Sequence, residues 1–322
     1  MVAPVGSRLV STLITGAAGM IGRKLAAQLP QPDLVLHDVV PFDGATAVSD
    51  LSAPGEAEKL VASRPEVIFH LAAVVSGEAE ADFEKGYRVN LDGTRRLFEA
   101  IRKESYRPRV VFASSIAVFG APFPPAIGDE FLNAPLTSYG TQKAIDELLL
   151  SDYSRRGFFD GVGIRLPTIC VRPGKPNKAA SGFFSGIIRE PLSGQEAVLP
   201  VPETVRHWFA SPRAAIGFLI HASRIKTESL GARRNLSMPG VSATVGEQIA
   251  ALKKVAGEKT AKLIRREPDP TIMRIVEGWP QNFDAKRALE LGFRADASFE
   301  EIIRIHVADE LEKTPEPGRA LG

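Results

Sequence analysis

The sequence predicts an α/β protein: a doubly wound parallel sheet with helices on both faces, followed by a smaller α+β lobe. Short apolar runs alternate with helical periodicity through the first half of the chain, the pattern of buried parallel strands. A glycine-rich turn joins the first run to the first helical segment. After about residue 170 the alternation stops, and a Pro/Gly/Asn-rich loop (171–182) opens a stretch of mixed helices and short strands.

Taken in order, "LVSTLIT" (9–15) reads as a buried strand that stops at Gly16, and "MIGRKLAAQL" (20–29) as a helix ending before Pro30. "LVLHD" (34–38) is a second strand, "EAEKLVAS" (56–63) a helix and "EVIFHLAA" (66–73) a third strand. "VNLDGTRRLFEAIRKE" (89–104) is amphipathic, with Leu91, Leu97, Phe98 and Ile101 spaced to face a core. "RVVFASS" (109–115) is a fourth strand, a helix follows over 138–154, and "GVGIRLPT" (161–168) is a fifth. Further helices are expected at 211–223, 243–257 and 299–312, with Asp284 as a cap for "AKRALEL" and a disordered tail over 313–322.

Composition narrows the function classes. Of 322 residues, 44% are hydrophobic and 24% charged, ordinary values for a soluble globular chain. A net charge of +2 with scattered basic residues gives no footprint for nucleic acid or a membrane surface. Cys170 is the only cysteine and the five histidines lie far apart, so neither a disulfide nor a metal site is expected. No apolar run is long enough to span a bilayer and no signal peptide is evident, so the expected location is the cytoplasm.

The turn "TGAAGMIG" carries Gly16, Gly19 and Gly22 in a G-x-x-G-x-x-G spacing. Glycines there allow a tight turn and close approach of the backbone to a pyrophosphate, and the helix that starts at Met20 and Ile21 aims its N–H groups at the anion. Asp38 ends the next strand, 22 residues after Gly16. A carboxylate there accepts from both ribose hydroxyls and repels a 2′-phosphate, and "VVPF" (39–42) holds no Arg or Lys to welcome one. NAD is therefore expected rather than NADP. Asp50, with Leu51 beside it, is a second candidate at the adenine; either acid could instead be an ordinary turn residue.

Tyr139 and Lys143 sit four apart at the start of a helix, on one face. A phenol with a pKa near 10 needs help to act as a base at neutral pH. Lowering it by about three units takes roughly 4 kcal/mol, within reach of an ammonium one turn away in a shielded site. Ser115 lies at the carboxyl end of the fourth strand, where open α/β sheets bind ligands, and can hold a substrate oxygen while the phenol moves the proton. Each of these residues taken alone could be coincidence; the glycine turn and Asp38 make the combination informative.

"TGAAGMIG", "HLAA" (70–73), Asn90, "SSIAVFG" (114–120), "SYGTQKA" (138–144) and "RLPT" (165–168) fall in the order and spacing of the extended short-chain dehydrogenases/reductases, which the whole chain resembles. The resemblance implies a Rossmann-type NAD-binding domain (1–170 plus about 211–238) and a substrate lobe (171–210 and 239–322). It implies catalytic roles for Ser115, Tyr139 and Lys143, support of the lysine by Asn90, and cofactor contacts from Leu71, Ala72, Ala73, Asn90, Tyr139, Lys143 and Pro167. It also implies a homodimer through helices that carry Leu148, Leu149 and Tyr153.

Within the family, Ile116 and Ala117 replace the acid pair of dehydratases. Arg206 matches an epimerase position, yet Pro212 and Arg213 replace the acids that follow it there, and Phe119 stands where those enzymes commonly have tyrosine. The strings at 74–95, 139–161 and 165–192 look closer to the branch that oxidises the C2 hydroxyl of a four-carbon sugar acid, D-erythronate, with NAD. A nucleotide-sugar epimerase, an enzyme like the short-chain L-threonine 3-dehydrogenases, and a non-catalytic NAD(P)-binding redox sensor are the alternatives. Candidates for the substrate's carboxylate and hydroxyls are Ser76, Arg172, Asn177, Arg206 and Arg213 beside Ser115 and Tyr139. His207 and Trp208 could line the pocket or simply pack.

Overall fold

The computed structural model describes residues 11–30, 33–174 and 180–312. Strands β1 (Thr12–Thr15), β2 (Leu34–Asp38), β3 (Ala47–Val48), β4 (Val67–His70), β5 (Arg109–Ser115) and β6 (Asp160–Leu166) alternate with helices. Those helices are α1 (Met20–Ala26), α2 (Glu56–Val61), α3 (Ser76–Ala81), α4 (Phe83–Gly86), α5 (Gly93–Glu104) and α6 (Ser138–Arg155). Then come β7 (Thr168–Ile169), α7 (Gly182–Leu192), β8 (Ala197–Leu199), β9 (Arg206–Ala210), α8 (Pro212–Ala222), β10 (Asn235–Ser237) and β11 (Val241–Thr244). The chain continues through α9 (Val245–Ala256), α10 (Glu258–Ala261), β12 (Ile264–Arg266), α11 (Pro270–Glu277), α12 (Lys286–Glu290) and α13 (Phe299–His306).

The main sheet has the order β10-β6-β5-β4-β1-β2-β3. β1 pairs in parallel with both β2 and β4, β2 with β3, and β4 with β5. The chain winds outward in both directions from β1, so a topological switch point lies between β1 and β4, where such sheets bind ligands. Register puts Thr15 opposite both His70 and His37, so Gly16 and Leu71 leave the sheet side by side. Leu13, Ile68, Val110 and Phe112 pack with Leu97, Phe98 and Ile101 of α5 in one buried cluster. Each such side chain contributes about 1.5–3 kcal/mol. This is the doubly wound α/β sheet the sequence predicts.

The chain divides into two compact units: 1–118, 137–165 and 218–236, then 119–136, 166–217 and 237–322. The second contains a three-stranded sheet, β11-β9-β7, in which β9 runs antiparallel to β11 and parallel to β7, and a parallel pair, β8 with β12. Its core includes Phe184, Ile187, Phe209, Leu252 and Ile302.

Several expectations need correction. The helix expected over 89–104 is a π-helical turn, Tyr87–Asp92, followed by α5, a widening that apolar periodicity does not register. The strand expected over 66–73 ends at His70, so "LAA" belongs to the connection. The one expected over 161–168 ends at Leu166, because Pro167 has no N–H for a ladder. Asp284 caps nothing: Ala285 holds the N-cap position of α12 without a side-chain bond, and the Arg287 N–H goes to Asp129 Oδ2 at 2.9 Å. The last helix stops at His306 and continues as a π turn, Val307–Leu311. Leu9, Val10, Asn177 and the tail 313–322 lie outside the described residues.

Candidate active site

The glycine turn is built without room for side chains. Gly16 has φ of +76°, and a Cβ there would lie 2.6 Å from the Ala72 nitrogen. A Cβ on Gly22 would sit 2.4 Å from the Gly16 oxygen, so α1 packs directly onto the turn. Helix α1 begins at Met20 after Gly19, and no side chain caps it. Asp38 Oδ2 accepts the Ala18 N–H at 2.9 Å and Oδ1 the Val40 N–H at 3.1 Å, which ties the acid at the end of β2 to the turn. Such a cradle fits a dinucleotide: close backbone at the diphosphate and a fixed carboxylate at the ribose. Arg23, which sequence reading passed over, donates from Nε to the Ala18 oxygen at 2.7 Å, with its guanidinium 5.8 Å from the centre of the Phe42 ring. The segment 39–42 after Asp38 holds no cation; this one comes from the adjoining helix, α1.

Asp50 is held by its own neighbourhood. Its Oδ1 accepts from the Ser52 N–H (2.9 Å) and hydroxyl (2.6 Å), and its Oδ2 from Arg88 Nη1 at 2.5 Å. Those donors hold its carboxyl below the usual range against the opposing effect of burial. Leu51 beside it is buried.

Behind Leu71, Ala72 and Ala73 runs a buried chain of hydrogen bonds that sequence reading did not anticipate. His70 Nδ1 lies 2.7 Å from Thr15 Oγ1, His70 Nε2 lies 2.9 Å from Thr94 Oγ1, and the Thr94 hydroxyl donates to the Asn90 oxygen at 2.5 Å. Burial pushes the His70 pKa down to about 3, so the ring is neutral at working pH. With Thr94 donating onward, Nε2 carries the ring proton and Nδ1 accepts from Thr15.

Helix α6 starts where Thr137 Oγ1 accepts the Gly140 N–H at 3.0 Å, which fixes the position of Tyr139 in the first turn. Lys143 is only 2% exposed, and its ammonium lies 4.6 Å from the centre of the Phe112 ring on β5 and 5.9 Å from that of Tyr139. α6 packs against β5 and the 3₁₀ turn Ile116–Val118; Ser115 stands where the two join, its Oγ accepting the Ala117 N–H at 3.2 Å. Asn90, in the π turn, is fully buried: Oδ1 accepts the Val74 N–H (2.8 Å), and Nδ2 donates to the Val74 oxygen (3.2 Å) and to Gln142 Oε1 (2.7 Å). Gln142 thus joins Asn90 in the candidate site. Its only sequence signal is its place inside the Tyr-to-Lys spacing, which a surface glutamine would share.

Among the substrate candidates, Ser76 begins α3, six residues past the end of β4. Pro167, Arg172, Arg206 and Arg213 belong to the second unit. The Arg172 backbone is pinned, its N–H to Ser185 Oγ at 3.0 Å and its oxygen to Arg189 Nη1 at 2.7 Å. Arg206 meets Glu247 at 3.2 Å, and Arg213 meets Asp309 at 2.8 Å. His207 is buried, 2.6 Å from the Thr168 hydroxyl, and Trp208 donates to the Met238 oxygen at 3.2 Å as a packing residue. Among the described residues no cluster of His, Cys, Asp or Glu could hold a metal ion, and no helix is long and apolar enough to cross a membrane.

A glycine turn at the switch point, an acid closing β2 and a helix that opens with Tyr139 and Lys143 define the class as Rossmann-type and short-chain in kind. Residues 12–210 match the model of the NAD dependent epimerase/dehydratase family, and the chain belongs to that family. It is 47% identical to a D-erythronate dehydrogenase of Cupriavidus necator, over 93% of this chain and 98% of that one. It is 40% identical to a D-erythronate dehydrogenase of Haemophilus influenzae, over 92% and 98%. A crystal structure described as a nucleoside-diphosphate-sugar epimerase from Agrobacterium tumefaciens shares 66% identity and superposes with a TM-score of 0.89, covering 94% of this chain and 95% of that one.

Proposed function

We propose that this chain is an NAD-dependent dehydrogenase that oxidises the C2 hydroxyl of D-erythronate to 2-dehydro-D-erythronate, releasing NADH and a proton. The observation that carries the reading is the similarity, 47% and 40% identity over nearly the whole chain, to two proteins named D-erythronate dehydrogenase. The residue set on β5 and α6 supports it.

In this reading Gly16, Gly19, Met20, Ile21 and Gly22 hold the diphosphate, Asp38 the ribose, and Asp50 and Leu51 the adenine. Leu71, Ala72, Ala73 and Pro167 line the nicotinamide end, and Tyr139 and Lys143 bind its ribose. When bound, NAD supplies the two-electron acceptor that the side chains lack. Ser115 Oγ holds the C2 oxygen, and the Tyr139 phenolate takes its proton. The Lys143 ammonium favours that phenolate, and Asn90 with Gln142 fixes the helix that carries both. The lobe formed by 171–210 and 239–322 holds the sugar acid. Ser76 reaches its hydroxyls, and Arg172 and Asn177 take its carboxylate. Arg206 and Arg213 already face carboxylates of their own chain and contribute less.

The protein works in the cytoplasm as a homodimer in this reading. Leu148 is 70% exposed on α6 and offers an apolar contact, whereas Leu149 and Tyr153 pack against the buried cluster. NADH absorbance after mixing with NAD and D-erythronate tests the reaction. The epimerase name of the similar crystal structure favours a second reading, which requires retained NAD and no net NADH.

A further inference from the structure

Helix α6 buries a second carboxylate that the reaction as proposed does not use. Asp146 lies three residues past Lys143 and is fully buried, and neither of its oxygens has a hydrogen-bond partner. The next residue, Glu147, is also buried but well satisfied: Arg165 Nη2 sits 2.7 Å from it, and the Ser114 hydroxyl donates to it at 2.6 Å. Thr94 on α5 leans toward Asp146 yet donates its proton to the Asn90 oxygen.

We propose that Asp146, in its ionised form, is the buried counter-charge that positions the Lys143 ammonium and keeps it protonated beside Tyr139. The inference rests on the role given to Lys143 above. A carboxylate and an ammonium one turn apart on the buried face of a helix attract strongly when water is excluded. Removing one partner strands the other's charge. Burial pushes the Lys143 pKa down and that of Asp146 up, and their mutual attraction opposes both.

The surroundings leave Asp146 as the partner of choice. Glu147 also favours the Lys143 ammonium, but less than Asp146 does, and its oxygens are engaged by Arg165 and Ser114. His70, from the sheet, is neutral. Asn90, Thr94, Phe112 and Ser114 carry no charge, and Glu80 of α3 is drawn to the Ser138 N–H at the start of the helix. Asp146 is therefore a positioning residue: it touches no reacting atom and acts through Lys143.

The sign of the effect is fixed. A buried lysine without its counter-charge loses its proton at lower pH, and activity that needs the ammonium then fails earlier on the alkaline side.

Two measurements test this. In the first, kcat is followed against pH for the wild type, Asp146→Asn and Asp146→Glu. The alkaline limb of Asp146→Asn is expected to move toward acid by about one unit, with Asp146→Glu restoring it. Superimposed profiles for wild type and Asp146→Asn would mean a neutral packing acid and overturn the proposal.

The second needs no turnover and stands whatever the substrate proves to be. Thermal unfolding is compared for wild type, Lys143→Met, Asp146→Asn and the double variant. Lys143→Met strands a buried carboxylate, so adding Asp146→Asn is expected to raise its Tm. Strict additivity of the two single effects would overturn the proposal.

Discussion

Asn90 donates through Nδ2 to Gln142 Oε1 across 2.7 Å, with both side chains fully buried. That bond joins the π turn before α5 to the stretch of α6 between Tyr139 and Lys143. The same Asn90 amide holds both the N–H and the oxygen of Val74, so one side chain spans the segment after β4 and the helix proposed to do the chemistry. Residues on a regular helix advance by about 100° each, so the wider turn over Tyr87–Asp92 changes where Asn90 points relative to α5.

Asn90→Ala is expected to leave the Val74 peptide groups and the Gln142 amide unpaired inside the protein. Each buried orphan costs about 1–3 kcal/mol. Urea unfolding should show a loss of several kcal/mol, and kcat should fall more than affinity for NAD. A stability change below about 1 kcal/mol would contradict this picture.

Tyr139→Phe removes the proton acceptor and little else. The fall in kcat should be about 10²–10⁴-fold. Affinity for NAD, followed by quenching of protein fluorescence, should change by less than about tenfold, since only one hydroxyl contact to the cofactor is lost. Unchanged turnover would exclude Tyr139 as the base.

Cofactor choice should follow Asp38. Replacing it with serine removes the charge that opposes a 2′-phosphate, in a setting where Arg23 already stands at the turn. Asp38→Ser is expected to lose about 10–100-fold in kcat/KM with NAD and to gain measurable turnover with NADP. Steady-state assays with both cofactors give the answer; a variant that keeps the wild-type preference would relocate the discrimination.

Gly16→Ala combines a positive φ with a Cβ that would press on Ala72. Strain of this kind costs at least about 1–2 kcal/mol, before any shift of the "HLAA" segment. Calorimetry should show a lower Tm, and NAD, which is expected to raise the Tm of the wild type, should no longer raise that of the variant.

Acid should destabilise the protein through two buried histidines. The His70 pKa is pushed down to about 3 and that of His207 to about 4, chiefly by burial. An unfolded histidine titrates near 6.5, so below that pH the unfolded state binds more protons. Stability is therefore full above about pH 6.5 and falls toward the folded values, by about 1.4 kcal/mol per unit for each histidine. Unfolding measured from pH 7 down to 4 should show the slope, and His207→Gln should remove one share of it.

Much of this was legible in the chain. The apolar strand runs, the glycine spacing and Asp38 announce the sheet and the NAD site, because burial on both faces and close approach to a diphosphate leave few alternatives in residue type. Tyr139 and Lys143 by their spacing, and Ser115 by its place at a strand end, became informative only beside the glycine turn and Asp38. The π turn did not, since residues 87–92 show no break in apolar spacing. Gln142, Thr94 and Asp146 were equally hidden: polar residues on a helix read as solvent-facing until a neighbour covers them. The Arg206 and Arg213 pairings with Glu247 and Asp309 join residues 41 and 96 positions apart, beyond what local pattern conveys.

The most direct measurement mixes purified protein with NAD and D-erythronate and follows NADH absorbance, beside L-threonine and NADP controls. The dehydrogenase reading requires sustained NADH formation with D-erythronate and NAD, and loss of that signal in Tyr139→Phe. No NADH from D-erythronate, with NAD retained on the protein, would contradict it and put the epimerase reading first.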